Sequence, residues 1–126
     1  MIATIKRASN KICGTITAPP SKSMAHRAVL CAALAEGHSH ITNLEFSKDI
    51  SATLGAAGQL CAKVQTGAAD AVVEGLGHFL PLAAPVDCCE SGSTLRFLIP
   101  IASLTGQAVS FTGRGRLMER PQSVYE

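Results

Sequence analysis

Ser21-Lys22-Ser23-Met24-Ala25-His26-Arg27 follows Pro19-Pro20 and leads into an almost wholly apolar run ending at Ala35. Prolines suit a helix start, because the first helical N–H groups have no carbonyl partner to lose. Ser21 suits the cap, since its hydroxyl can accept from those free N–H groups. The pattern predicts a helix over residues 21–36 stopped by Gly37, and its Ala, Leu, Val, Met and Cys content predicts burial on most sides. The polar groups crowd into the first two turns. Ser23 and Arg27 lie four apart on one face, with Lys22 and His26 beside them. A helix N-terminus is partially positive, so Lys22 and Arg27 oppose it. An anion here would meet free N–H groups, two hydroxyls and two cations together. The residues alone leave two alternatives open: such an anion site, or two long side chains reaching solvent as most Lys and Arg do.

A second helix start stands at Cys89-Glu90-Ser91-Gly92-Ser93-Thr94-Leu95-Arg96-Phe97-Leu98. It repeats the order of the first: small residues, hydroxyls, then a basic residue. Its core face runs through Leu95, Leu98, Ile99 and Ala102, and Pro100 should kink the helix or loosen one bond. Gly92 serves either as flexible cap backbone or, lacking Cβ, as a point where a ligand approaches the N–H groups closely. A third element, Gly113-Arg114-Gly115-Arg116-Leu117-Met118-Glu119-Arg120-Pro121, carries three arginines. It is either a solvated loop with Glu119 as internal partner or a third contact for anions.

Between these stretches the chain alternates strands and helices. Residues 3–7 and 11–17 read as short strands around a turn at Ser9-Asn10. Residues 38–44 read as a strand with His38 and His40 on one face; two half-exposed histidines fit better than two metal ligands, because no third ligand is placed beside them. Ser47 starts a helix whose Ile50, Leu54, Ala57 and Leu60 form one apolar stripe, with Asp49 in the first turn where a carboxylate favours the dipole. Residues 61–66 and 71–74 read as strands, Gly75-Leu76-Gly77-His78 as a turn, residues 80–86 as a Pro-punctuated connection and 108–112 as a strand.

With 126 residues, 47% apolar, the chain can build one core, and with four Phe, one Tyr and no Trp that core must be aliphatic. A net charge of +2 is too small to drive non-specific nucleic-acid or membrane binding. Five cysteines without a C-x-x-C pair make neither a disulfide framework nor a zinc site. Cys31 reads as a small core residue. Reduced thiols, no signal peptide and no apolar run of about 18–20 residues predict a cytoplasmic location. The stop at Glu126, soon after Arg120, is expected of a piece of a longer chain.

Taken together, Pro20-Ser21-Lys22-Ser23-Met24-Ala25-His26-Arg27-Ala28, Glu90-Ser91-Gly92-Ser93-Thr94-Leu95-Arg96-Phe97-Leu98 and Gly115-Arg116-Leu117-Met118-Glu119-Arg120-Pro121 resemble, in order and spacing, the signatures of the 5-enolpyruvylshikimate-3-phosphate synthase family. That resemblance implies an α/β fold of repeated βαβαββ units in an inside-out barrel, incomplete here. It assigns residues 1–18 to strands that pack with the other domain, and 19–126 to a partial substrate-binding domain of about one and a half units. The implied reaction moves the enolpyruvyl group of phosphoenolpyruvate to the 5-hydroxyl of shikimate 3-phosphate and releases phosphate. It is a step of the shikimate pathway to aromatic amino acids, at a site that glyphosate also occupies.

The resemblance also implies roles by residue. Lys22 contacts both substrates, Ser23 and Arg27 hold shikimate 3-phosphate, Gly92 lines the phosphoenolpyruvate pocket and Arg120 binds phosphoenolpyruvate. Asp49, Ser93 and Arg96 support them. The proton-transferring acids of the family are expected outside residues 1–126, so this stretch alone is expected to be inactive and prone to self-associate, whereas the full-length family member is expected to be a monomer. No metal or cofactor is implied, and no nucleic-acid or membrane partner. A sister transferase acting on a UDP-amino sugar carries Lys-Asn in the first motif and a reactive loop cysteine. Lys22-Ser23 and the absence of cysteine from residues 113–120 argue against it. An RNA-binding module using residues 113–120 is disfavoured by the low charge and scarce aromatics.

Overall fold

The computed structural model of the chain describes residues 2–7 and 13–125. Helix α1 (Lys22–Leu34) leads into strand β1 (Gly37–Thr42), helix α2 (Lys48–Leu60), and strands β2 (Ala62–Thr66) and β3 (Asp70–Gly75). Strand β4 (Val86–Asp87), helix α3 (Gly92–Ala102) and strand β5 (Phe111–Thr112) follow, then 3-10 turns at Gly115–Leu117 and Ser123–Tyr125. Both β1 and β2 pair antiparallel with β3, in the order β1-β3-β2. They therefore run parallel to each other, with α2 as the crossover and β3 filling the gap. β4 and β5 pair in parallel across α3, which starts a second unit of the same kind. The order is that of βαβαββ repeats without a first strand and without closure into a barrel among the described residues.

Alternation along the strands decides which face is covered. In β3, Ala71, Val73 and Gly75 are buried while Asp70, Val72 and Glu74 are only partly so. The register sets Ile41 beside Ala71 and Val64 beside Val73 on the inner face, where α1 and α2 pack. The outer face is polar: Lys63 Nζ meets Glu74 Oε1 at 3.1 Å, and His40 Nε2 meets Asp70 Oδ2 at 2.7 Å. The core is aliphatic, as its composition requires. Ile50, Leu60 and Leu98 are each 1% exposed, and burial of each stabilises the fold by about 1.5–3 kcal/mol. No helix among the described residues is long and apolar enough to cross a membrane.

Several elements differ from what the sequence predicts. Residues 3–7 and 13–17 form no strand. Among the described residues they have no strand to pair with, and Ile2, Ile5 and Ile16 stand 95%, 94% and 89% exposed; the turn at Ser9-Asn10 lies outside the described residues. Helix α1 is not covered on most sides. Ala25, His26, Val29, Leu30, Ala32 and Ala33 are buried, but Met24, Cys31 and Leu34 face solvent, because α2 and the sheet cover only one side. Cys31 is therefore not a core residue. Val86, read as the end of a connection, opens the strand Val86–Asp87, and the last strand contracts to Phe111–Thr112. Pairing with β4 defines both, and pairing is invisible to local propensity. Pro100 stays inside α3. It leaves the Arg96 carbonyl without its helical donor, and the Tyr125 hydroxyl donates to that carbonyl at 3.1 Å.

Gly75 shows how closely α1 sits on the sheet. A Cβ there would fall 1.7 Å from the Ala35 carbonyl oxygen and 2.7 Å from that of Ala32. Both are backbone atoms and cannot swing aside. Gly75→Ala is expected to destabilise the protein by more than about 3 kcal/mol, read as a lowered urea midpoint. A midpoint equal to the parent's would show that the end of α1 does not rest on β3.

Candidate functional site

Three helices begin with the same device. Ser21 caps α1 by accepting from the Met24 N–H at 3.4 Å, Ser47 caps α2 from Ile50 at 3.3 Å, and Ser91 caps α3 from Thr94 at 3.2 Å. Only α2 has an acid in its first turn, Asp49. That carboxylate forms an ion pair with Lys22 of α1. Asp49 thereby offsets the unfavourable placement of Lys22 against its own helix, although a half-exposed pair of this kind contributes only about 0.2–1 kcal/mol. Arg27 donates from Nη1 to the Ser23 carbonyl at 2.9 Å, and its guanidinium lies 5.3 Å from the centroid of the Phe97 ring on α3. Both residues stay exposed, while their charged ends contact neighbours on the other two helices, Asp49 on α2 and Phe97 on α3.

Beneath them runs a buried string of polar side chains. His26 Nδ1 lies 2.7 Å from Thr53 Oγ1 on α2. Thr53 Oγ1 lies 2.7 Å from Thr94 Oγ1 on α3, and Thr94 Oγ1 lies 2.7 Å from Ser91 Oγ. All four residues are no more than 1% exposed. Each hydroxyl has one proton, so a head-to-tail order satisfies the string: His26 Nδ1–H donates to Thr53, Thr53 to Thr94, and Thr94 to the cap Ser91. The Asp49 carbonyl lies 3.2 Å from Thr53 Oγ1 and 3.4 Å from Thr94 Oγ1, as an alternative acceptor. His26 Nε2 is buried without a partner among the described residues. Burial pushes the His26 pKa down; Asp49 opposes this, and Lys22 and Arg27 add to it. The ring is therefore neutral at pH 7.

Gly92, the first residue of α3, lies against Arg120. A Cβ on Gly92 would stand 2.6 Å from Arg120 Nη1 and 3.9 Å from Leu117 Cδ1. Leu117, 2% exposed, anchors the arginine loop in the core. The Arg114 N–H donates to the Cys89 carbonyl at 2.7 Å. Arg114 Nη2 meets Asp87 Oδ2 at 2.6 Å, so the partner of this loop is Asp87 and not Glu119. The Cys89 N–H, and then Arg114, hold the Asp87 carboxyl below the usual carboxylate range.

Of the residues singled out by sequence, the fold brings Lys22 to Asp49, Arg27 to α3, and Gly92 to Arg120. Ser23, Ser93 and Arg96 lie exposed near the same helix starts. Thr94 lies inside the second quoted stretch without a role assigned to it, and Thr53 lies in no motif at all. Their one signal is a hydroxyl on an otherwise apolar stripe, Thr53 falling between Ile50 and Leu54. Burial raises the Cys88 thiol to about 11, which leaves it neither nucleophile nor thiolate ligand at neutral pH. Among the described residues no three His, Cys, Asp or Glu converge to hold a metal ion. The arrangement presents Lys22, Arg27 and Arg120 beside three capped helix starts. Cations and free helical N–H groups of this kind are complementary to anions.

Comparison with known proteins gives a consistent result. The model of the EPSP synthase (3-phosphoshikimate 1-carboxyvinyltransferase) family matches residues 6–124. A 3-phosphoshikimate 1-carboxyvinyltransferase from Clostridium kluyveri is 45% identical over 115 residues, covering 91% of this chain and 27% of the relative. One from Clostridium beijerinckii is 44% identical, covering 98% of this chain and 30% of the relative. The solved EPSP synthase of Acinetobacter baumannii superposes with a TM-score of 0.80 at 28% identity, over 87% of this chain and 25% of that one. The chain thus spans between a quarter and a third of the proteins it matches.

The depressed His26 pKa has a consequence for stability. The unfolded chain takes up the proton at about the ordinary value of 6.5, before the folded one does. The contribution of neutral His26 is therefore complete above that value and is lost as pH falls below it through the depressed folded value. The urea midpoint is expected to drop between about pH 7.5 and about pH 5 by more in the parent than in His26→Gln. His38, His40 and His78, exposed in both proteins, cancel in the comparison. Equal drops would show that the ring is not held neutral.

Proposed function

We propose, from the premise that this chain belongs to the EPSP synthase family, that it supplies anion-binding elements of an enolpyruvyl transferase. The reaction moves the enolpyruvyl group of phosphoenolpyruvate to the 5-hydroxyl of shikimate 3-phosphate. A carbon–oxygen bond to the sugar-like ring forms, the ester bond to phosphate breaks, and the hydroxyl proton leaves with inorganic phosphate. The observation that carries this reading is the convergence of Lys22, Arg27 and Arg120 on the starts of α1 and α3. Two polyanionic substrates need their charge neutralised before they can approach each other.

In this reading Lys22, steadied by Asp49, contacts both substrates, and Ser23 with Arg27 holds shikimate 3-phosphate. Gly92 and Arg120 form the phosphoenolpyruvate side, and Ser93 and Arg96 support the start of α3. The contact between Gly92 and Arg120 supports this assignment, because the missing Cβ is what lets the guanidinium reach the helix start. Proton transfer falls to groups outside this chain. Residues 1–18 belong with another domain of the full protein, and 19–126 with the substrate-binding domain. The exposure of Ile2, Ile5 and Ile16 supports that division, since apolar side chains in an unpaired segment need a cover.

Two outcomes follow for the full-length protein. Lys22→Ala and Arg27→Ala should each weaken shikimate 3-phosphate binding by about 1.5–3 kcal/mol, read by calorimetric titration. Unchanged affinity in both would return these side chains to solvent. Gly92→Ala should raise KM for phosphoenolpyruvate while leaving KM for shikimate 3-phosphate near the parent value, because the added methyl displaces the Arg120 guanidinium. A lower melting temperature with parent kinetics would make Gly92 a purely structural glycine.

A further inference from the structure

We propose that the buried string His26–Thr53–Thr94–Ser91 positions the anion-binding groups, fixing the spacing between Lys22 and Arg27 on α1 and the Gly92–Arg120 contact at α3. The proposal rests on the enolpyruvyl-transferase reading above. Every member of the string sits one turn or less from a residue of that set. His26 lies one turn after Lys22 and directly before Arg27. Thr53 lies one turn after Asp49, the partner of Lys22, and its Oγ1 is 3.2 Å from the Asp49 carbonyl. Ser91 directly precedes Gly92, and Thr94 completes the Ser91 cap through both its N–H and its hydroxyl.

The surrounding contacts are aliphatic, and apolar contacts are non-directional, so by themselves they let packed helices slide by fractions of an ångström. Hydrogen bonds of 2.7 Å from α1 to α2 and from α2 to α3 resist that slip: stretching the first takes the acceptor from the buried His26 Nδ1–H, and stretching the second exchanges a short bond for the longer 3.2 Å contact of Thr53 with the Asp49 carbonyl. Phe97 adds a second link from α3 to α1. Its ring centroid is 6.3 Å from that of His26 and its face carries Arg27. A rotation of α1 about its axis would move Lys22 and Arg27 together and break the His26 bond. Thr53, Thr94 and His26 touch no anion in this scheme. They are positioning residues, and their effect should appear in substrate binding.

The test uses phosphate-release kinetics and thermal melting of the full-length protein. Thr53→Val keeps the shape and deletes the hydroxyl; Thr53→Ser keeps the hydroxyl and deletes a methyl. If the string positions the cations, Thr53→Val raises KM for shikimate 3-phosphate by about tenfold or more, while Thr53→Ser stays within about twofold of the parent despite its small packing defect. Thr94→Val, which cuts the same string one bond further on, should match Thr53→Val, and the double variant should be no worse than either. If Thr53→Val is insoluble, Thr94→Val against Thr94→Ser provides the same comparison. An active parent whose valine variants keep parent KM values, or whose KM changes follow melting temperature in serine and valine variants alike, overturns the positioning role alone. A parent that releases no phosphate from the two substrates overturns the enzymatic reading and this proposal with it.

Discussion

The hydrogen bond between Thr53 and Thr94, 2.7 Å long and fully buried, is the contact on which the rest of this structure turns. It joins the second turn of the repeat's second helix to the first turn of the next repeat's helix, and through His26 it reaches the first helix as well. A typical hydrogen bond contributes only about 0.5–1.5 kcal/mol net, but leaving one buried partner unmet costs about 1–3 kcal/mol. The string is therefore asymmetric in its effect. It contributes modestly to stability when whole and penalises most an arrangement that leaves the buried His26 Nδ1–H without Thr53, since the threonine hydroxyls have the Asp49 carbonyl as a second acceptor. The neighbouring apolar packing supplies the bulk of the stabilisation without choosing among such arrangements.

That constraint lets the fold tolerate an unfavourable electrostatic design. Lys22 and Arg27 sit in the first two turns of α1, and Arg120 lies against Gly92 at the start of α3, so positive charge stands beside positive dipole ends. The fold offsets this locally and partially. Asp49 pairs with Lys22, the Phe97 ring accepts the Arg27 cation on its face, and Asp87 takes Arg114 away from the site. Among the described residues Arg27 and Arg120 form no ion pair, and a polyanion is their natural complement. The depressed pKa of His26 belongs to the same field: burial excludes a further proton from beneath two cations that already repel it.

The two uncovered apolar regions have a common origin. The N-terminal segment exposes Ile2, Ile5 and Ile16, and α1 exposes Met24, Cys31 and Leu34. Both lie where the alternation of helix and sheet provides no covering neighbour among the described residues. A strand without a partner and a helix face without a layer over it are equally incomplete. By contrast the inner faces of β3 and α2 are closed to 1% exposure or less at Val73, Ile50 and Leu60, because sequential elements cover them.

Much of this was legible in the residues themselves. Pro19-Pro20-Ser21, Ser47 and Ser91 mark three helix starts, and each serine caps as its chemistry demands. The apolar stripe of α2 and the alternation of β1 and β3 follow from local rules that a sequence states openly; the end of α1 does not, since the helix stops at Leu34 with an extended Ala35 and Gly37, expected as the stop, opens β1. The oddity of Lys22 and Arg27 at a positive helix end is also stated openly. What the sequence could not state is what meets across space. The pairing of β4 with β5, the exposure of Cys31, the pairing of Arg114 with Asp87, and the joining of His26, Thr53 and Thr94 all connect residues about 25 or more apart, or depend on what lies over a helix face. Periodicity tells which side of a helix is apolar. It cannot tell whether a threonine on that side will find a second hydroxyl within 2.7 Å, because that distance is set by how three helices pack and by no one of them.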